Sequence, residues 1–172
     1  MKILSKQKNS RMCMICGLDN EYGVNAPFYN MEDGSVMTVF RYKEQHQSYP
    51  GRVHGGMITA MLDEMGLRSL WAKELSEETF GVTISLDTKY RKPVPYETEL
   101  IGRGVVVKNT SHFIITDSYI MDKDGEILAN GRIKYIKMDT QKIQKGVEVH
   151  EEMPYLVEDG RTEIEGPFFD NL

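Results

Sequence analysis

One long helical segment, residues 55 to about 74, limits the fold more than any other feature, because it is apolar around most of its circumference. On a wheel of 100° per residue, Met57, Ile58, Ala60, Met61, Leu62, Met65, Leu67, Leu70 and Trp71 leave little solvated face. Such a helix must be covered nearly all round. Strands are available to cover it. Residues 35–42 alternate well enough for one strand before the helix, and residues 81–91, 100–108, 112–121 and 127–138 read as four after it. In the first of these four, Val82, Ile84 and Leu86 alternate with Thr83, Ser85 and Asp87. Tyr49-Pro50-Gly51, Pro93-Val94-Pro95 and Asn109-Thr110 punctuate the pattern, and Asp124-Gly125 is a hairpin signal. Ser76-Glu77-Glu78 marks the end of the helix. The expectation is α+β, an antiparallel sheet wrapped on a single helix.

A chain of 172 residues makes one compact domain and little more. With 27% charged residues, a net charge of -5 and no basic stripe, nucleic acid is not an expected partner. Lys2, Lys6, Lys8 and Arg11 make the N-terminus basic, but no apolar run of signal-peptide or membrane-spanning length follows. The expectation is a cytoplasmic protein with no membrane partner. Residues 1–33 read as irregular, with room for a short strand or helix, residues 34–139 as the main domain, and residues 140–172 as an acidic extension. That extension, with Glu148, Glu151, Glu152, Glu158, Asp159, Glu163, Glu165 and Asp170, reads as solvated or as an arm over a partner subunit.

Cys13 and Cys16 are spaced C-x-x-C. A structural zinc site takes four ligands, and the pair supplies two. A redox pair sits where a strand enters a helix, whereas these flanks resemble a loop. The plain reading is two reduced thiols near a turn, with no metal and no cofactor.

The helix carries two adjacent acids. Glu64 has Arg68 four residues on and can pair with it. Asp63 has Thr59 and Leu67 at four residues and Ala60 and Gly66 at three, so no base on its own helix. A lone carboxylate in an apolar helix must find a partner, shift its pKa or face a wet cavity, which makes it a candidate for chemistry as well as for a structural network. The helix begins at His54-Gly55-Gly56. Its first N–H groups are unpaired and partly positive, and glycine lets a ligand approach them closely. Such a start can hold a carbonyl oxygen as it becomes an oxyanion; the plainer alternative is a tight junction where glycine avoids a clash. Gly55 and Asp63 lie eight residues apart, about 12 Å along a helix. A base must come within about 3 Å of its reacting atom. If both residues act, they act from different subunits of a homodimer.

These residues carry a resemblance to the PaaI-type hotdog-fold acyl-CoA thioesterases, over about residues 13 to 138. It rests on Gln47-Ser48-Tyr49-Pro50-Gly51-Arg52-Val53-His54-Gly55-Gly56 with Asp63 nine residues after the histidine. Gly81-Val82-Thr83, Tyr90-Arg91-Lys92-Pro93-Val94 and the opening Cys13-x-x-Cys16-Gly17-x-x-Asn20-x-x-Gly23 add to it. The resemblance implies a curved sheet around one central helix, with active sites between the subunits of a dimer or tetramer. It implies that the N–H of Gly55, with that of Gly56, polarises a thioester carbonyl. Asp63 of the other subunit then activates water as general base, the role preferred here, or attacks as nucleophile. Thr83 orients the water or the acid, His54 mainly supports the turn and can hydrogen-bond near the carbonyl, and Gln47 or Ser48 is an extra carbonyl donor. Lys89, Arg91 and Lys92, with Arg103, are candidates for the phosphates of coenzyme A, which enters only as part of the substrate; the plainer alternative for each is a solvated charge.

Two other functions fit the same fold. A non-catalytic acyl-CoA-binding or sensor module would lack the acid or carry a DNA-binding segment; Asp63 is present and residues 1–33 show no helix-turn-helix pattern. A hotdog-fold dehydratase or hydratase would poise a histidine and an acid at a β-hydroxyacyl group, and the His54-to-Asp63 spacing resembles the thioesterase branch more closely.

Overall fold

The computed structural model describes residues 1–74, 79–138 and 149–166. The apolar segment is a helix, α1 (Gly55–Glu74), and it lies against one sheet of seven strands. These are β1 (Ile3–Lys6), β2 (Tyr29–Met31), β3 (Val36–Phe40), β4 (Phe80–Tyr90), β5 (Leu100–Asn109), β6 (Phe113–Met121) and β7 (Ile127–Met138). Their order across the sheet is β1-β2-β3-β5-β6-β7-β4, and every neighbouring pair is antiparallel. A sheet wrapped on one helix is the hotdog arrangement. Ser76, Glu77 and Glu78, expected to end the helix, lie outside the described residues.

Ile58, Met61, Leu62, Met65, Leu70, Trp71 and Ala72 are all at most 5% exposed, so the helix is buried on most sides. Each large side chain among them contributes roughly 1.5–3 kcal/mol by leaving water. One buried residue of α1 is charged. Arg68, 1% exposed, donates from Nε to Glu64 Oε1 at 2.7 Å, the expected i, i+4 pair. Its Nη1 reaches Gln7 Oε1 at 3.1 Å and the Lys8 carbonyl at 3.2 Å, and its guanidinium lies 4.3 Å from the centre of the Phe28 ring. Buried charges persist only when paired and hydrogen-bonded in this way.

β4 departs from the simple alternation expected of it. Thr83 pairs with Tyr135 while Ser85 pairs with Lys134, so Ile84 is an extra residue in a bulge. The bulge changes which side chains face α1. Thr83 points at the helix before it and Leu86 after it, while Val82 and Ile84 stay 39% and 50% exposed.

The two edges of the sheet are treated differently. β1 is covered by the chain's own acidic extension: Ile3 N–H donates to the Thr162 carbonyl and Ile164 N–H to the Met1 carbonyl, each at 2.9 Å. Ile164 and Met153 are buried, and Lys6 pairs with Asp159 at 2.5 Å. The described part of the extension runs along its own chain through Met153 and Ile164, while its acids Glu151, Glu152, Glu158, Asp159, Glu163 and Glu165 stay exposed; Glu148 and Asp170 lie outside the described residues. β4 occupies the opposite edge. It is eleven residues long, and among the described residues no strand pairs with its outer side.

Candidate active site

The turn before α1 is closed by Arg52 N–H donating to the Tyr49 carbonyl at 2.9 Å. Pro50 and Gly51, with φ of +78°, fill its two central positions, as a type II turn requires. Buried His46 anchors the loop. Its Nδ1 accepts the Lys43 N–H at 3.0 Å, its Nε2 donates to the Tyr22 carbonyl at 2.7 Å, and its carbonyl accepts the His54 N–H at 2.8 Å. Gln47 and Ser48 stand exposed on this loop. His54 caps the helix: Nδ1 accepts the Gly56 N–H at 2.9 Å, which requires a neutral ring with its proton on Nε2. The Gly55 N–H has no acceptor among the described residues. The two glycines thus differ. Gly56 is held by the cap, and Gly55 offers the free donor.

Tyr90 fixes the other side of Gly55. Its hydroxyl donates to the Gly55 carbonyl at 3.1 Å and accepts from Thr59 Oγ1 at 2.6 Å. Arg52, Arg91 and Lys92 line a groove of about 340 Å³ that reaches Gly55.

Asp63 faces the β4 side of the helix. Thr83 Oγ1 donates to Asp63 Oδ1 at 2.8 Å, and the Tyr135 hydroxyl donates to the Asp63 carbonyl at 2.6 Å. No cation pairs with Asp63 among the described residues. Burial raises its carboxyl above the ordinary 3.8, outweighing the Thr83 hydrogen bond, and the neighbouring Glu64 charge adds to the rise. A carboxylate raised in this way holds a proton more readily, which suits a general base working near neutral pH.

The expected cations divide between two grooves. Lys89 and Arg91 line one of about 460 Å³ on the outer face of the sheet, with Asp87, Asp117 and Arg132. Arg91 also lines the groove at the helix start, and its Nε donates to Asn130 Oδ1 at 2.6 Å. Lys92 pairs with Glu126, and Arg103 with Asp33 at 2.6 Å. The Lys89 ammonium has no ion-pair or hydrogen-bond partner among the described residues. Sequence reasoning gave no role to Tyr90 or Tyr135. The parity of Tyr90 is hidden by the bulge, and Tyr135 lies 72 residues from the carbonyl it holds.

Among the described residues, one chain therefore carries a free N–H donor at the helix start and, two turns on, an acid with no cation partner beside an edge strand with no outer neighbour. Residues 50–129 match the family model of the Thioesterase superfamily. Over this segment the chain is similar to that superfamily. A thioesterase superfamily protein of known crystal structure is 26% identical, with a TM-score of 0.65, over 73% of this chain and 63% of the other. A thioesterase protein from Streptococcus pneumoniae, solved with coenzyme A, has a TM-score of 0.57 at 20% identity over 67% of this chain and 87% of its own. Among curated relatives, the acyl-coenzyme A thioesterase THEM4 of Rattus norvegicus is 25% identical over 140 residues, 81% of this chain and 57% of THEM4. The chain spans little more than half the length of that relative and of its Mus musculus counterpart, 57% and 52%. Among the described residues no helix is long and apolar enough to cross a membrane.

Proposed function

We propose that the protein is a cytoplasmic acyl-CoA thioesterase acting as a homodimer with shared active sites. The observation that carries this reading is Asp63, a half-buried carboxylate raised by burial and steadied by Thr83 on β4, whose outer side no strand pairs with among the described residues. A long, bare edge strand with exposed apolar residues invites pairing with another copy. Pairing of β4 with β4 of a second copy about a two-fold axis would set the two helices antiparallel. The acid of one helix would then stand near the start of the other, which the separation of about 12 Å forbids within one chain.

In this reading the substrate carbonyl accepts the Gly55 N–H, and Gln47 or Ser48 assists. Asp63 of the partner subunit takes a proton from water as that oxygen attacks the carbonyl carbon. The oxyanion collapses, the C–S bond breaks, and the coenzyme A sulfur leaves with the proton that the acid held. Arg91 and Lys92, with Lys89 further out, would meet the phosphates. The relatives named as acyl-coenzyme A thioesterases support this substrate class.

A panel of short, medium, long and aryl acyl-CoAs assayed for free-thiol release tests the proposal. We expect hydrolysis of at least one class, and a loss of roughly 10²–10⁴-fold in kcat for Asp63→Asn, with the dimer retained by light scattering. Absence of turnover across the panel, or a wild-type rate in Asp63→Asn, would overturn it. Tight acyl-CoA binding with no thiol release would favour a sensor module instead.

A further inference from the structure

On the face of α1 that packs against the N-terminal segment, Glu64 meets the two cysteines. The sulfurs of Cys13 and Cys16 and a carboxylate oxygen of Glu64 all lie within 4.8 Å of one another. They open onto a groove of about 340 Å³ beside Trp71, Phe80 and Met153. The Glu64 carboxylate is divided between two neighbours: Oε1 accepts from Arg68 at 2.7 Å, while Oε2 lies 3.9 Å from Cys13 Sγ. Cys13 Sγ accepts the N–H of Ile15 at 3.3 Å and of Cys16 at 3.5 Å, and Ser10 Oγ lies 3.2 Å from Cys16 Sγ. Buried Asn9 holds this loop from behind, donating from Nδ2 to the carbonyls of Cys16 at 2.7 Å and Ala26 at 2.9 Å.

The geometry points to a divalent metal site of the zinc class, with Cys13 Sγ, Cys16 Sγ and Glu64 Oε2 as ligands and a fourth position open to the groove. Thiolates combined with a carboxylate suit this class of ion. With Zn–S near 2.3 Å and Zn–O near 2.0 Å, a tetrahedral ion sets sulfur and oxygen about 3.5 Å apart, so the Cys13–Glu64 distance need close by only about 0.4 Å. The charges also balance. Two thiolates and one carboxylate carry three negative charges, and a divalent ion with the Arg68 guanidinium carries three positive. Without the ion, two thiols and the Glu64–Arg68 pair are equally neutral. Binding therefore exchanges two S–H protons for one ion at constant net charge. Arg68 and the two N–H donors form the outer layer of bonds that orients ligands in metal sites. The ion would tie residues 13–16 to the central helix, so its binding energy would add to folding stability.

Protein stripped by a chelator under reducing conditions is titrated with Co²⁺ and then Zn²⁺. We expect one ion per chain, a thiolate-to-cobalt charge-transfer band, two protons released per ion, and a higher melting temperature with Zn²⁺. Cys13→Ser and Cys16→Ser should each abolish the band, and Glu64→Gln should weaken binding by at least roughly 10–100-fold. Glu64→Gln also leaves Arg68 uncompensated; where that variant does not fold, the two serine variants, which leave no charge unpaired, decide. A reduced, folded protein that shows no charge-transfer band, or a band that survives in both serine variants, would overturn the site.

Discussion

Two variants that remove different halves of the proposed site should be inactive alone and active together. Gly55→Pro removes the free N–H. Proline is well tolerated at the first position of a helix, and a Cβ at Gly55 would meet nothing closer than the Tyr90 hydroxyl at 3.4 Å, an ordinary contact. Loss of one oxyanion donor costs about 10²–10³ in kcat, roughly 2.7–4 kcal/mol. Asp63→Asn removes the base and costs roughly 10²–10⁴. In a dimer with shared sites, a mixed pair has one site lacking both groups and one site with both intact. Random reassortment after mild denaturation makes half the dimers mixed, so about a quarter of the wild-type sites return. The assay is thiol release on the preferred acyl-CoA before and after mixing, with each variant refolded alone as control. A mixture no more active than its components would refute the shared site, and a wild-type rate in Gly55→Pro would refute the donor.

Two further outcomes concern stability. A Cβ at Gly66 would lie 2.2 Å from the Tyr135 hydroxyl oxygen and 2.6 Å from Thr116 Oγ1, so Gly66→Ala should destabilise by about 1–3 kcal/mol: overpacking of about 1–3 and a lost hydrogen bond of about 1, against about 1 gained in helix propensity. Urea melts should show Tyr135→Phe costing less in that background than alone, and an unchanged midpoint for Gly66→Ala would refute the contact. Asp63 has its folded pKa raised, so the folded state holds this proton more tightly than the unfolded chain; stability present at low pH is lost as pH rises from the unfolded value through the folded one. Asp63→Asn lacks that loss, so its stability relative to wild type should be greater at pH 7 than at pH 4 at fixed protein concentration, and a difference independent of pH would count against a raised carboxyl.

The fold was legible wherever a single element carried enough residues to show its period. The helix over residues 55–74, with its i, i+4 pair Glu64–Arg68, and the strands β5, β6 and β7 all announce themselves locally. What was illegible depends on contacts between distant parts of the chain. β1 and β2 have four and three residues, too few for a period, and β1 is stabilised by Thr162 and Ile164. The bulge at Ile84 breaks the alternation of β4 without any glycine or proline to signal it. Asp63 could be set apart from Glu64 by counting along the helix, but the meeting of Glu64 with Cys13, 51 residues away, could not.

Asp63 and Glu64 differ in their surroundings because consecutive helix positions point 100° apart. Glu64 turns inward, where it pairs with the Arg68 guanidinium at 2.7 Å. Its charge then acts on Asp63, adding to the rise that burial begins. A cation placed beside Asp63 would hold the proton off and weaken it as a base. Placed instead on Glu64, the same cation neutralises the interior and leaves Asp63 raised. The edges of the sheet follow a similar division. The extension covers β1, while among the described residues no strand pairs with the outer side of β4, the strand that carries Thr83. In the proposed dimer a second copy covers β4, so one contact would close the exposed edge and bring acid and donor together. Loss of the dimer should therefore abolish turnover even where both residues are intact.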